Sequence, residues 1–454
     1  MNFDSVIFIS CFLPALLILY WLIPGLKAKN WLLLVFSLLF YSFAGPISLL
    51  LLVVLALANY LLAGRGKGTL ILGICLNVAF LGFFKYLNFF VSQVLQLPPV
   101  ELGLAVPLGI SFFTFKNISY LVDTYRNREN RAESFWDFLL FVSFFPQIVT
   151  GPIARFRDFA PGLRARTHTP AAAAAGMQRF IRGLAKKLIL SGILGNMVDS
   201  IFGLQADGLD ARLAWIGAIG YCLQLYYDFS GYIDMANGLG GIFGFAPCEN
   251  FDRPYLALSV GDFWRRWHIS LSTWFKDYVY IPLGGNRKGK VRAGINKCIV
   301  FLLCGIWHGA SWTFLLWGIW HGAFSLLEST GVIPAKKLQK HKALGHIYTL
   351  LVVCLGFVMF RAETLTQGFA FLGAMFTGFS FTAAGTVALH SAVTAESVIM
   401  LVLGVLLCLP MPGVLKNRLK AQSVPAYAGS FLLLVLCVIA LAAGGFAPSI
   451  YGGF

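Results

Sequence analysis

The chain has 454 residues, of which 58% are hydrophobic and only 12% charged, and its mean hydropathy is +0.77. That composition lies outside the range of soluble globular domains, so the sequence reads as an all-α polytopic membrane protein, one integral domain over residues 1–454. The net charge is +16, but Lys and Arg fall in short clusters between apolar runs, as in cytoplasmic loops, which gives no nucleic-acid signature.

In chain order, apolar runs at 5–24, 30–44, 46–63, 69–95, 104–123, 135–151, 178–203, 212–246, 296–328 (broken), 347–361, 366–383, 395–410 and 425–446 are candidate spans. A full crossing takes about 20 apolar residues. The runs at 30–44, 135–151 and 347–361 are short and read as tilted or re-entrant, so about ten or eleven crossings with re-entrant pieces are expected. The first run has no basic residues ahead of it and no small-residue cleavage site after it, which makes it a retained helix. Asp4 before it and Lys27 and Lys29 after it put the N-terminus outside and the first loop in the cytoplasm.

Further along, Gly45-Pro46 is a tight turn and 64–68 a short basic loop, whereas Pro98-Pro99 with Glu101 lacks Lys or Arg and marks the opposite side. Arg126, Arg128, Arg131, Arg155, Arg157, Arg164 and Arg166 return the chain to the cytoplasm. Arg179, Arg182, Lys186 and Lys187 read as a basic helix end at the headgroups. Asp207 and Asp210 mark an external loop, and Lys336, Lys337, Lys340 and Lys342, then Lys416, Arg418 and Lys420, form basic loops. The nine Cys are scattered singly with no C-x-x-C pair, so neither a disulfide framework nor a zinc site is suggested.

The stretch that carries chemistry is GIWHGASWTFLLWGIWHG, Gly305–Gly322, with two histidines, four tryptophans and four glycines in an otherwise membrane-spanning run. An ionisable group at that depth is costly and marks a functional site by default. The alternative is a histidine that only hydrogen-bonds a neighbouring helix. His308 and His321 are thirteen residues apart, about 220° and about 19 Å on a straight helix. They share a site only if the chain breaks, and Gly309, Ala310 and Ser311 offer such a break.

Phe263–Lys290, FWRRWHISLSTWFKDYVYIPLGGNRKGK, places Trp264, Trp267, His268, Leu271, Trp274, Phe275 and Tyr278 at helical spacing. It predicts one amphipathic helix near the cytoplasmic interface, stopped by Pro282 and the glycines after it, with His268 turned away from water. YYDFSGYIDMA, Tyr226–Ala236, puts Asp228 and Asp234 in an apolar span, where carboxylates need partners. A structural ion pair and a catalytic role both fit. Lys116 and Asn117 raise the same question, and Tyr227, Trp307 and Ser270 join these four residues as candidate substrate contacts. No G-x-S-x-G elbow, H-x-x-x-x-D pair or HExxH spacing is present. Gly284–Lys290 matches a phosphate-loop pattern, but Val291 stands where Ser or Thr is needed. A buried His with no Ser or Cys nucleophile beside it suggests a general base for acyl transfer to a hydroxyl, with nearby N–H donors for the oxyanion. A proton-coupled transporter or export channel is the rival reading, and a membrane scaffold for an external enzyme is a third.

Five stretches in one order, Pro107–Arg126, Phe144–Phe156, Tyr226–Ala236, Phe263–Gly289 and Gly305–Gly322, together resemble the membrane-bound O-acyltransferase superfamily, in the branch of the bacterial alginate O-acetyltransferase membrane subunit. The resemblance implies a ring of tilted helices around a narrow central passage with His308 at its constriction, and assigns His268 and His321 to the family's other motif histidines. It also implies acetyl-CoA as donor substrate with no bound cofactor, a separate extracytoplasmic acetyltransferase and a cell-envelope glycan as partners, and a bacterial inner-membrane location. The D-alanyl-teichoic-acid branch, whose donor is a carrier-protein thioester, is similar. The chain's ending PSIYGGF differs from the aromatic-rich tail common in the family.

Overall fold

The computed structural model describes residues 1–100, 105–205, 208–412 and 423–444. Glu101, Asp207, the basic group Lys416, Arg418 and Lys420, and the chain's ending lie outside the described residues. Among those described, every extended element is a helix and the one β-bridge joins Phe251 to Trp267.

The helices run α1 (Phe8–Leu22), α2 (Leu26–Ser42), α3 (Pro46–Leu62), α4 (Lys67–Val94), α5 (Ile110–Arg126), α6 (Phe135–Ser143) and α7 (Phe156–Arg164). Next is α8, built from Pro170–Ala185, a π-helical turn Lys186–Ser191 and Gly192–Phe202. Then come α9 (Ala211–Ile242), α10 (Val260–Arg266), α11 (Ile269–Phe275), α12 (Gly289–His308), α13 (Trp312–Thr330), α14 (Ala335–Lys340) and α15 (Lys342–Arg361). The last are α16 (Leu365–Thr377), α17 (Ala383–Ala392), α18 (Ala395–Cys408) and α19 (Val424–Ala442). Starts are set by side-chain caps: Ser134 accepts from Asp137, Thr169 from Ala172 with Pro170 in the first turn, and Asp210 from Arg212 and Leu213. Each satisfies a backbone N–H that the helix leaves open.

Among the described residues, by length and apolarity alone four helices can cross a membrane, α4, α12, α15 and α19, or five if α17 and α18, bent by 70°, make one span. The expected ten or eleven crossings therefore depend on shorter apolar helices such as α1, α3 and α16, and on helices such as α9 that present polar groups inward. The run at 347–361 is not short: Lys342–His346 extend it to a full span. The run at 135–151 is helical only to Ser143. From Phe144 to Arg155 the chain is irregular and every residue is buried, and its amides turn to protein partners: Phe145 donates to Ser37 Oγ and Ile153 to Ser270 Oγ. This is the condition under which irregular chain is tolerated at membrane depth.

Helices α8 and α9 cross antiparallel through glycines. A Cβ on Gly183 would lie 2.5 Å from Gly231 O, and one on Gly231 2.7 Å from Gly183 O, so only glycine allows this approach. The closeness turns Arg179, Lys186 and Lys187 inward onto α9. They are therefore not a basic helix end at the headgroups, and of that group only Arg182 is exposed. Asp4 is also buried, 3.9 Å from Lys187, with Phe3 stacked on Tyr232, so its charge says nothing about which side the N-terminus occupies. Lys336, Lys337 and Lys340 lie on the short helix α14, not a loop. One buried apolar cluster packs α1, α2, α6 and α8, and a second gathers Trp267, Trp274, Trp307, Trp317, Phe357 and Phe360 around the break between α12 and α13.

Candidate active site

The break lies where Gly309, Ala310 and Ser311 predicted it. Helix α12 ends on His308, and Ser311 caps α13 by accepting from Thr313 N–H. The two helices form a tight hairpin because Gly305 and Gly318 face each other. A Cβ at Gly305 would sit 2.5 Å from Phe314 O, and one at Gly318 2.6 Å from Phe301 O.

The hairpin brings His308 and His321 into one aromatic cluster with a single indole between them: the Trp317 ring is 5.1 Å from each imidazole. His308 is 3% exposed, and its ring is walled by Trp307 at 4.9 Å and by Phe360 of α15 at 5.0 Å. His321 packs instead on Trp264 and Phe301, and Gly356 of α15 leaves no room for a side chain beside it, since a Cβ there would lie 2.5 Å from His321 Nε2.

The amphipathic helix expected over 263–278 is broken at its histidine. Helix α10 ends at Arg266, α11 starts at Ile269, and His268 takes a left-handed conformation with φ +47°, uncommon for a residue with a side chain. The break is held by the Phe251–Trp267 bridge and by Asn250, whose carbonyl accepts from Ile269 N–H and whose side chain accepts from Ser270 N–H. The expected inward direction of His268 holds. Its ring meets Phe229 at 4.6 Å and Trp307 at 6.3 Å.

His268 and His308 line one cavity of about 250 Å³, together with Trp264, Trp317, Arg265, Lys297, Glu328 and Phe360. A second cavity of about 1210 Å³ is bounded by Asn196, Asp199, Gln224, Ser311, Thr313, Phe314, Arg361, Glu363 and Glu396, and again by Phe360. Phe360 thus faces both, and with Phe314, 4.8 Å away, it separates them beside His308. The indole N–H groups of Trp264, Trp307 and Trp317 have no acceptor among the described residues.

The remaining candidates fall elsewhere. Asp228 pairs with Lys187 at 2.6 Å, and Asp234 with Lys186 at 2.6 Å and Arg179 at 2.9 Å, with Glu249 closing the network on Arg179. Their partners come from helix α8 and not from loops, and the ion-pair role is the one the geometry supports. Tyr227 donates to Gly404 O at 2.6 Å, tying α9 to α18. Lys116 donates to Phe141 O and Gln147 Oε1; Asn117 is buried, and neither side-chain polar atom has a hydrogen-bond partner among the described residues. Ser270 lines a separate cavity of about 270 Å³ with Gln147, Arg155 and Cys248. Trp307 packs its rings against both His268 and His308. The sequence reading passed over Lys85, which reaches the backbone of His308 from α4; its one signal was a lone charge inside the apolar run 69–95.

The family model described as MBOAT, membrane-bound O-acyltransferase family, matches residues 68–366, which include His268, His308 and His321. The chain belongs to the membrane-bound O-acyltransferase family. Within that family it is 40% identical to a probable alginate O-acetylase, AlgI, of Pseudomonas aeruginosa, over 83% of this chain and 75% of the relative. It is 36% identical to a peptidoglycan O-acetyltransferase of Helicobacter pylori, over 82% of this chain and 79% of the relative. Similarity to a teichoic acid D-alanyltransferase of Bacillus subtilis is 30% and covers 44% of this chain and 53% of that one. The chain is therefore a multi-pass membrane O-acyltransferase of the alginate O-acetylase branch.

Proposed function

We propose that the protein moves an acetyl group from a cytoplasmic thioester, acetyl-CoA, across the bacterial inner membrane to a cell-envelope polysaccharide or to an extracytoplasmic acetyltransferase that serves one, with His308 as general base. The acceptor hydroxyl attacks the thioester carbonyl while His308 takes its proton. The tetrahedral intermediate expels the thiolate, which leaves with a proton from the same imidazolium, so His308 ends neutral. The open indole N–H groups of Trp264 and Trp317, both on the wall of the small cavity, are suited to hold the oxyanion in a site without competing water.

The observation that carries this reading is a small cavity lined by His308 and His268, with a larger one on the other side of Phe360, the ring that packs against His308. With Phe360 displaced, a donor and an acceptor would reach one imidazole from separate cavities. Acetyl is favoured over D-alanyl because the two acetylating relatives match over four-fifths of the chain and the D-alanyl relative over under half. Replacing His308 by Gln at unchanged expression and thermal stability is expected to abolish acetylation of the envelope glycan. Retained acetylation in that variant would overturn the proposal.

A further inference from the structure

We infer that Lys85 is a positioning residue for acyl transfer, holding the C-terminal carbonyls of α12 and, through them, the imidazole of His308. The inference rests on His308 being the base.

Helix α12 stops at His308 because Gly309 is fully extended, with φ −179°. The carbonyls of its last turn are left without helical N–H partners, and at membrane depth there is no bulk water to satisfy them. Two consecutive residues of α4 do so. Lys85 Nζ donates to Trp307 O at 2.6 Å, to His308 O at 3.2 Å and to Ser111 Oγ of α5 at 3.2 Å. Tyr86 donates its hydroxyl to Ile306 O. An ammonium has three protons, so its donors are all engaged, and three successive carbonyls ending on His308 are held by one neighbouring helix.

The choice of a lysine is informative. Only 11% of the apolar window of α4 is buried, so this is a lipid-facing helix on which a cation is costly. Among the described residues Lys85 forms no ion pair; its acceptors are a hydroxyl and the negative end of the α12 dipole. A helix end needs no charge to be capped, since a hydroxyl or a glycine turn suffices. What the ammonium adds is a three-point clamp that ties the last two carbonyls of α12 to Ser111 of α5, behind the His308 ring that lines the small cavity, with the Trp307 indole 5.8 Å from Nζ.

The test uses sealed membrane vesicles from the native host, which retain its partners, and radiolabelled acetyl-CoA as probe, with label in envelope glycan as the readout. Lys85→Met is expected to lower kcat roughly 10- to 100-fold with KM for acetyl-CoA unchanged and the folded amount, read by thermal denaturation, near wild type. Lys85→Arg, which keeps charge and donors, recovers most of the rate, and Lys85→Met adds nothing on a His308→Gln background. A kcat at wild-type level in Lys85→Met beside an inactive His308→Gln overturns this inference alone, as does a loss of rate that only follows the loss of folded protein. Activity in His308→Gln overturns the reading of His308 and this inference with it. Should Lys85→Met fail to accumulate, Tyr86→Phe, which removes only the bond to Ile306 O, is expected to lower kcat several-fold at unchanged KM, and a wild-type kcat there refutes the clamp.

Discussion

Gly305→Ala tests whether the α12–α13 hairpin sets the position of His308. The added Cβ would lie 2.5 Å from Phe314 O and 3.3 Å from Gly318 Cα. Both neighbours are backbone and cannot swing aside, so the helices must part by about 1 Å to reach ordinary contact near 3.5 Å. Overpacking of this kind costs about 1–3 kcal/mol. In an uncrowded helix the same change is worth about 1 kcal/mol in the opposite direction, so the sign of the stability change reports the close approach. His308 follows three residues later on the same helix, and a shift near 1 Å at a reacting group lowers the rate on the order of 100-fold. The assay is thermal denaturation of detergent-purified protein beside acetyl transfer in vesicles. Wild-type stability and kcat in Gly305→Ala would refute the reasoning. Gly318→Ala probes the opposite side of the same contact, so the two losses should fall short of additive when combined.

Lys187→Met leaves Asp228, 2.6 Å away, and Asp4, 3.9 Å away, without their cation; it is expected to destabilise by about 3–5 kcal/mol, and adding Asp228→Asn should restore much of that in a denaturation series. His321→Gln should reduce kcat far less than His308→Gln, because His321 is sealed behind Trp317 and lines neither cavity described above; equal losses in the transfer assay would argue for a direct role. Phe360→Ala removes the ring that faces both cavities. It should raise the ratio of CoA released to acetyl recovered on glycan, and a wild-type ratio would show that Phe360 is not the barrier.

Where the signal in the sequence was local, the fold places the residue as the sequence indicated. A histidine ahead of Gly309 in an apolar run announced both the break and the buried imidazole, and the wide aromatic face around His268 announced its inward direction. The break at His268 itself was not legible, because helical spacing continues unbroken through Trp267 and Ile269. The left-handed turn there is imposed from Asn250 and Phe251, well upstream in the chain. Lys186 and Lys187 read as headgroup charges because positive clusters usually are. Their pairing with Asp234 and Asp228 depends on the glycine-mediated crossing of two helices, which periodicity does not reveal. Lys85 was hidden for a similar reason: a single cation in an apolar run has no visible partner until α12 is seen to end beside it. The separation of His308 from His321 by one indole is likewise a property of the folded hairpin, fixed by Gly305 and Gly318.

The central claim is that one imidazole serves a donor arriving from one face and an acceptor arriving from the other. It is tested most directly by offering radiolabelled acetyl-CoA to only the cytoplasmic face of sealed vesicles and following label on glycan or protein at the opposite face, for wild type and for His308→Gln at matched folding. Label that crosses in wild type and is lost in the variant is the predicted result. Label that crosses equally in both would contradict the role given to His308.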